Sequence, residues 1–349
     1  MEFNEQAYNA HVRNQTNPAF SYRSGLAAAD FAAWQRQFRE ALARKLGLDK
    51  VRAGAAGLPL EPQLLETVRM DGYVREKITI QTEPGVRIPF YLLLPDGGAR
   101  PLPLVIAIHG HGKRGKETFA GNYASEAERI SGEEGERNIG LQAVKEGYAV
   151  IVPDQRGFGE MARETDRLNT DLGYSCEPMQ RKALMYGRTL IGERVHDTAR
   201  LIDYAAARAE IDSSRIAVTG NSGGGTTSLF AAALDERIKL AVPGSYFCTF
   251  ADSVLAVYHC SCNIIPGIME LGEMYDIAAL IAPRPLLVVH GRDDGIFPIE
   301  ATRRAFGCVQ EVYRHLQVPD RCELYVGDGG HRYYKKPVWP FVYKYFFEK

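Results

Sequence analysis

The chain has 349 residues, 45% of them hydrophobic, and its 42 basic and 43 acidic residues leave a formal net charge of −1. A chain of this length can bury a core large enough to fold without disulfide or metal crosslinks. The balanced charge gives no electrostatic reason to expect nucleic acid or a membrane surface as a partner, and no apolar run reaches the roughly 18 residues that span a bilayer.

Residues 1–60 are predicted to form an N-terminal helical extension. Apolar side chains recur at helical spacing from Leu26 to Leu46, and Gly47 follows as a stop signal. The first residues lack the apolar segment of a secretory signal, and the six cysteines are few and irregularly spaced, which is typical of reduced thiols. We therefore expect a cytoplasmic protein.

Residues 65–349 are predicted to form one α/β domain. An antiparallel hairpin, 73–95, precedes a series of apolar strands that alternate with helical segments. The strands are expected at 102–110, 148–154, 215–220, 238–244, 284–291 and 322–327, and the helices at 139–146, 190–208, 223–234, 299–316 and 331–348. Continuous apolarity is typical of strands covered on both faces, so we expect a mostly parallel mixed sheet between two layers of helices.

Three long insertions interrupt this alternation, near 113–138, 160–188 and 245–280. Each follows a predicted strand, and ligands of α/β sheets bind at the carboxyl ends of the strands. We therefore expect the insertions to build the walls of a binding pocket. The aromatic residues proposed for those walls are Tyr246, Phe247, Tyr275 and Phe297.

The strongest chemical signal is Gly220-Asn221-Ser222-Gly223-Gly224, which directly follows a predicted strand and opens a predicted helix. Strand, sharp turn and helix are the context that a nucleophilic serine needs in order to be presented at the top of a sheet. Three consecutive glycines at a helix start break helix propensity, which is typical of a functional position. The pattern therefore indicates Ser222 as a nucleophile.

The serine turn, a His-Gly-His-Gly loop at 109–112 and a later acid and histidine together resemble the α/β-hydrolase superfamily over residues 65–349. Within it, the chain is similar to dienelactone-hydrolase-like proteins and bacterial acetyl-xylan-esterase-like proteins. The resemblance implies an α/β-hydrolase fold and a catalytic order of serine, acid, then histidine. One departure stands out: sugar deacetylases of the cephalosporin-deacetylase type carry Gln after the nucleophile, where this chain has Gly223.

The resemblance implies His331 as the general base and Asp294 as the acid. His331 lies in a loop after the last predicted strand, whereas His315 falls within a predicted helix. The stretch from Gly291 to Pro298 matches the family's G-x-x-D-x-x-[VF]-P turn, which places Asp294 in the acid position. Asp293 and Asp328 remain alternatives as neighbouring loop carboxylates. The resemblance also implies an oxyanion hole from the backbone N–H groups of Gly223 and His111, while His109 and Arg156 are expected to be structural.

No cofactor or metal is expected. Gly110-His111-Gly112-Lys113-Arg114-Gly115 matches the G-x-G-x-x-G dinucleotide pattern, but no predicted helix starts there and no acidic residue ends a second strand about 20 residues on. Cys260 and Cys262 are close in sequence, but a structural zinc site needs a second pair of ligands, and none is visible nearby.

The sequence thus predicts a serine carboxylic-ester hydrolase that forms an acyl-enzyme and acts on short-chain esters, acetyl esters in particular, including esters of carbohydrates. A small-molecule ester is the expected partner, and the sequence leaves open a homo-oligomer. Two alternatives remain: a serine peptidase related to the prolyl-oligopeptidase catalytic domain, and a non-enzymatic binding module on the same fold. Residues 1–60 are too short for the β-propeller of the former, and no residue of the expected triad is lost, as the latter would require.

Overall fold

The computed structural model describes residues 3–22, 26–169 and 173–348. Within these residues the chain forms one sheet of nine strands in the order β1-β2-β3-β5-β4-β6-β7-β8-β9. The strands are β1 (Gln63–Met70), β2 (Tyr73–Glu83), β3 (Val86–Pro95), β4 (Leu102–Ile108), β5 (Ala149–Pro153), β6 (Ile211–Asn221), β7 (Ile238–Gly244), β8 (Leu286–Gly291) and β9 (Cys322–Gly327). β1, β2, β3 and β5 pair antiparallel, and the remaining pairs are parallel.

Thirteen α-helices occur in the described residues. They are α1 (Glu5–Gln15), α2 (Ala28–Lys45), α3 (Leu48–Gly54), α4 (Lys116–Phe119), α5 (Glu126–Glu134), α6 (Ile139–Lys145), α7 (Glu164–Asn169), α8 (Cys176–Met185), α9 (Leu190–Ala206), α10 (Gly223–Leu234), α11 (Met274–Ala279), α12 (Ile299–His315) and α13 (Val338–Phe347). None of these helices is both long enough and apolar enough to cross a membrane.

Strand β4 explains why the predicted strands are continuously apolar. Its alternate residues Ile106 and Ile108 belong to the core on the side of α9 and α10, whereas Val105 and Ala107 belong to a second core on the side of α6 and α13. Side chains of a strand alternate between the two faces, so a strand buried on both faces is apolar at every position. The predicted α/β-hydrolase fold, a mostly parallel mixed sheet with helices on both faces, is confirmed.

The predicted N-terminal helix is present as α2, and it packs on the sheet domain. Phe31, Phe38 and Leu42 are buried and belong to the same core cluster as the sheet and helices α9 to α12. The Phe38 ring stacks on Phe20 at 4.9 Å between centroids, and Gln35 Nε2 donates to the carbonyl of Ala282 at 2.7 Å. The helical extension therefore shares its hydrophobic core with the sheet.

Some elements differ from the sequence prediction. Strand β1 and helix α1 were not predicted: β1 is an edge strand with mostly exposed side chains, and α1 contributes no buried residue. Neither shows the apolar periodicity that burial imposes. The last helix begins at Val338, after Pro337, and not at 331 as predicted.

Candidate active site

Ser222 lies at the tip of a tight turn between β6 and α10. Its backbone is left-handed, with φ of 55°, a conformation that is strained for a residue with a side chain. The turn is also closely packed: a Cβ on Gly224 would lie 1.9 Å from the carbonyl oxygen of Ile108, and one on Gly220 would lie 2.3 Å from the same atom. The glycines thus allow β4 to pass directly behind the serine, and the packing maintains the strained turn.

His331 contacts Asp294, which follows β8. The His331 Nδ1 atom lies 2.8 Å from Asp294 Oδ2, while Asp294 Oδ1 accepts hydrogen bonds from the N–H groups of Ile296 at 3.0 Å and Phe297 at 3.1 Å. Burial raises the pKa of Asp294, but the hydrogen bond to His331 and the charge of that ring outweigh burial and leave the pKa below its ordinary value. The carboxylate therefore fixes the ring orientation and is suited to stabilise an imidazolium.

The two alternative acids lie elsewhere. Asp293 and Asp328 are both exposed, and both pair with the exposed guanidinium of Arg292, at 3.3 Å and 2.6 Å. Of the three loop carboxylates, the structure brings Asp294 to His331. His315, the alternative base, lies at the end of α12, where its ring contacts the carbonyl of Leu26.

Ser222 and His331 line one cavity of about 870 Å³. All three insertions contribute to its wall, for example through Arg114, Tyr174 and His259. Ser222 and its neighbours Gly223 and Asn221 form the floor, at the carboxyl ends of β4 and β6. The expected position of the pocket, at the strand ends and between the insertions, therefore agrees with the structure.

The four aromatic residues proposed for the wall have different positions. Phe297 lines the cavity, and its ring lies 5.8 Å from that of His331. Tyr246 and Phe247 are instead fully buried in the hydrophobic core beneath the site. The ring centroids of Tyr246 and Phe297 lie 5.3 Å apart. Tyr275, on α11, is partly buried against the same core. Their apolar character thus serves packing, and Phe297 alone among the four faces the cavity.

The two backbone groups predicted for an oxyanion hole also border the cavity. Gly223 is the first residue of α10, so its N–H points out of the helix N-terminus, and His111 belongs to the loop after β4. Gly110 places this loop against the turn, since a Cβ there would lie 3.3 Å from the Ser222 Cβ and 2.6 Å from the Asn221 carbonyl oxygen. Within the described parts of the chain, neither N–H has an internal hydrogen-bond acceptor.

Residues 7–327 match the model of the Abhydrolase family. The chain belongs to the Abhydrolase family. The "Putative hydrolase YtaP" of Bacillus subtilis is 24% identical over 282 residues, which are 78% of this chain and 87% of that protein. Among solved structures, a "putative acetyl xylan esterase" of Bacteroides fragilis has a TM-score of 0.77 at 20% identity, covering 94% of this chain and 83% of the other. A glucuronoyl esterase of Solibacter usitatus has a TM-score of 0.63 at 14% identity, covering 94% and 98%. At these identities the likeness to the structures shows the fold.

In this Abhydrolase-family chain, His109 and Arg156 support the site from behind. His109 Nε2 accepts from the N–H of Gln155 at 3.1 Å, so Nδ1 carries the proton and donates to the Gly110 carbonyl at 2.8 Å. Burial lowers the pKa of His109 to about 4, which keeps the ring neutral. Arg156 is buried and pairs with Asp197 at 2.7 Å. Both contacts agree with the structural roles expected from the sequence.

A cluster of thiols and one imidazole lies beside the cavity of the Abhydrolase-family chain. The side chains of His111, Cys176, Cys260 and Cys262 bring their potential ligand atoms within 4.8 Å of one another. Hydrogen bonds from Cys176 and Cys260 lower the pKa of the Cys262 thiol well below its ordinary value. The expectation that Cys260 and Cys262 have no second ligand pair is therefore wrong.

The second pair was missed because it comes from two other segments, the loop after β4 and the start of α8. Its members are 65 residues apart in the chain, so no spacing motif marks them. The one available signal was that all three segments follow strands at the same edge of the sheet.

Proposed function

We propose that the protein is a serine carboxylic-ester hydrolase that uses Ser222, His331 and Asp294. The observation that carries the proposal is the 2.8 Å contact between His331 Nδ1 and Asp294 Oδ2, on a ring that lines the same cavity as the strained Ser222. Membership of the Abhydrolase family and the esterases among proteins of the same fold support it.

In the proposed reaction, Ser222 Oγ attacks the ester carbonyl carbon while His331 Nε2 accepts the hydroxyl proton. The N–H groups of Gly223 and His111 donate to the oxyanion of the tetrahedral intermediate. His331 then donates its proton to the departing alkoxide, which leaves as the alcohol. Water, deprotonated by the same imidazole, releases the acid and restores the serine. Asp294 holds the ring in the tautomer with the proton on Nδ1 throughout.

We propose short acyl groups as the acyl side of the substrate, with acetyl first. Phe297 and His259 close the cavity beside His331, since their rings lie 4.8 Å apart and His259 Nε2 donates to the Ile296 carbonyl at 3.1 Å. The cavity is also lined by the polar side chains of Lys113, Arg114 and Glu177. A polar wall suits a hydroxyl-rich alcohol such as a carbohydrate, and the acetyl xylan esterase of similar fold points in the same direction.

A panel of esters tests the proposal. We expect p-nitrophenyl acetate and acetylated sugars to be hydrolysed faster than long-chain acyl esters, methyl esters of uronic acids and peptide nitroanilides. Ser222→Ala should reduce ester hydrolysis by about 10,000-fold or more, because the nucleophile is removed. A fluorophosphonate should form an adduct on Ser222 in the wild type.

The control for folding is the thermal unfolding midpoint of Ser222→Ala. It should match or exceed the wild-type value, because alanine removes only the side-chain oxygen and leaves the backbone of the turn unchanged. No adduct on Ser222 together with no hydrolysis of any ester would contradict the proposal. Faster cleavage of the nitroanilides would identify a peptidase, and faster cleavage of the uronate esters would move the substrate class from acyl to uronoyl esters.

A further inference from the structure

The four side chains beside the cavity have the separations expected for ligands of a single ion. His111 Nε2 lies 3.4 Å from Cys262 Sγ and 3.9 Å from Cys176 Sγ. In a tetrahedral zinc site, with Zn–S of about 2.3 Å and Zn–N of about 2.0 Å, neighbouring ligand atoms are about 3.5–3.8 Å apart. The observed separations therefore fit a tetrahedron around one ion, and all four potential ligand atoms lie within 4.8 Å of one another.

The position of the cluster in the fold also suits a site that joins segments. His111 belongs to the loop after β4, and Cys176 is the first residue of α8. Cys260 directly precedes a short 3₁₀ turn, Ser261–Asn263, and Cys262 lies within that turn. The cluster therefore joins all three insertions. Cys176 lies in the second insertion, Cys260 and Cys262 lie in the third, and His111 lies in the loop that leads into the first. Cys176 and Cys262 are fully buried, so the cluster is largely closed to water.

Arg194 provides an independent argument from charge. Its guanidinium is buried, lies over the Phe158 ring at 4.9 Å, and donates to the Arg156 carbonyl at 2.8 Å and to Cys176 Sγ at 3.4 Å. In the described part of the chain, the charged groups that act on this guanidinium are the Cys176 and Cys262 thiols, and no carboxylate is among them. A buried cation without a counter-charge is unfavourable. Three thiolates, one neutral imidazole and one Zn²⁺ carry a net charge of −1, which Arg194 balances.

We propose that His111, Cys176, Cys260 and Cys262 bind one Zn²⁺ in a closed tetrahedral site. Three thiolates and an imidazole in tetrahedral arrangement favour zinc among the common divalent ions, and four protein ligands leave no open position for chemistry. The ion is structural: it ties the three segments that wall the cavity. The site goes beyond the proposed ester hydrolysis, and its metal content is measured without reference to activity.

The ion also sets the protonation of His111. With Nε2 on zinc, the ring proton is on Nδ1, and a Cβ built on Gly223 would lie 3.0 Å from that atom. The zinc site therefore holds the loop that contains His111 against the turn that carries Ser222, with the Nδ1–H group of the His111 ring facing that turn. Loss of the ion would loosen the loop that carries one of the two proposed oxyanion donors.

Metal analysis of the full-length protein, purified without chelators and reconstituted with Zn²⁺, tests the proposal. We expect about one Zn²⁺ per chain in the wild type after removal of loosely bound ions. Cys176→Ser and Cys262→Ser should each retain less than about a tenth of it, because a hydroxyl is a poor zinc ligand. Cys248→Ser is the matched control: this thiol is also buried, but its contact is the Pro298 carbonyl, and the variant should keep the full metal content.

X-ray absorption on the wild type keeps the test decisive if a variant fails to fold. Three sulfur neighbours at about 2.3 Å and one nitrogen at about 2.0 Å support the site. Zinc surrounded by oxygen and nitrogen alone, a chain that stays metal-free after reconstitution, or a disulfide among Cys176, Cys260 and Cys262 found by mass spectrometry after alkylation would each overturn it.

Discussion

Asp294 is the residue whose replacement most directly tests the arrangement around His331. In Asp294→Asn the amide NH₂ can donate to Nδ1 only if the ring proton is on Nε2, which is the wrong tautomer for a base. The negative charge that stabilises the imidazolium is also lost. We expect kcat/KM on p-nitrophenyl acetate to fall about 10,000-fold. The reaction of Ser222 with a fluorophosphonate should slow in parallel, because both reactions require the same base.

Asp293→Asn is the matched control for this prediction, since it makes the same change one residue away. Its carboxylate is exposed and contacts Arg292. Surface substitutions of this kind usually change stability by less than about 0.5 kcal/mol, and the activity should stay near the wild-type value. Equal losses in both variants, or a larger loss in Asp293→Asn, would show that His331 is oriented by another acid in solution.

At the residue scale, the sequence predicts groups whose surroundings are contiguous in the chain. Ser222 stands in its own strand, turn and helix, so the local pattern indicates it. Asp294 was implied by a resemblance to a family turn, and the sequence left Asp293 and Asp328 open. Cys176 has no such local signal, because its partners come from segments before and after it. Tyr246 shows a second limit: aromatic residues in an insertion can face the core as readily as the cavity, and composition does not distinguish the two.

The junction of β6 with α10 is the element whose geometry allows least change. In Gly224→Ala the added Cβ would lie 1.9 Å from a backbone oxygen of β4, which cannot move without shifting the central strand. We expect the free energy of unfolding to fall by about 3 kcal/mol or more, at the upper end of overpacking penalties. Urea denaturation followed by circular dichroism measures the loss.

Gly307→Ala is the control within a helix. Gly307 lies inside α12, and a Cβ there meets no atom within 4 Å. Alanine should therefore stabilise the protein by about 0.5–1 kcal/mol, because it reduces the conformational freedom of the unfolded chain. If both variants were destabilised equally, helix propensity or a partner surface, and not the approach of β4, would control the outcome at Gly224.

Elements were predicted well where burial imposes a pattern. The strands from β2 to β9 are apolar on at least one face, and helices such as α9 and α12 have one buried face, so periodicity locates them. Strand β1 and helix α1 lie at the surface and have no such pattern. The start of α13 was placed seven residues too early because the loop after His331 is aromatic, with Tyr333 buried against the sheet, and so resembles a helical segment.

At the scale of the whole molecule, the structure joins segments that the sequence presents as separate. The insertions form one cavity wall, and the N-terminal extension shares the main core. The 7–327 range that matches the Abhydrolase family likewise includes most of the extension. The sequence predicted that the insertions form a pocket wall. It could not show which surface the N-terminal helix covers, because apolar periodicity reports that a helix is buried but not what it is buried against.

Two deletions test whether the extension is part of the folding unit. Removal of residues 1–60 exposes the core surface under Phe31, Phe38, Leu42 and Leu46, each 3% exposed or less. Burial of each such side chain contributes about 1.5–3 kcal/mol, so the four together are comparable to the whole stability of a typical domain, about 5–15 kcal/mol. We expect the shortened chain to be insoluble or to lack a cooperative thermal transition.

Removal of residues 1–16 is the paired experiment, because it deletes α1, which buries no residue, and leaves Phe20 stacked on Phe38. This deletion should change the free energy of unfolding by less than about 1 kcal/mol, since exposed segments contribute little to stability. Size-exclusion chromatography and calorimetry of both proteins give the comparison. A soluble protein of residues 61–349 that unfolds cooperatively at the wild-type temperature would mean that α2 and α3 form an appended unit, and that the sheet domain completes its core without them.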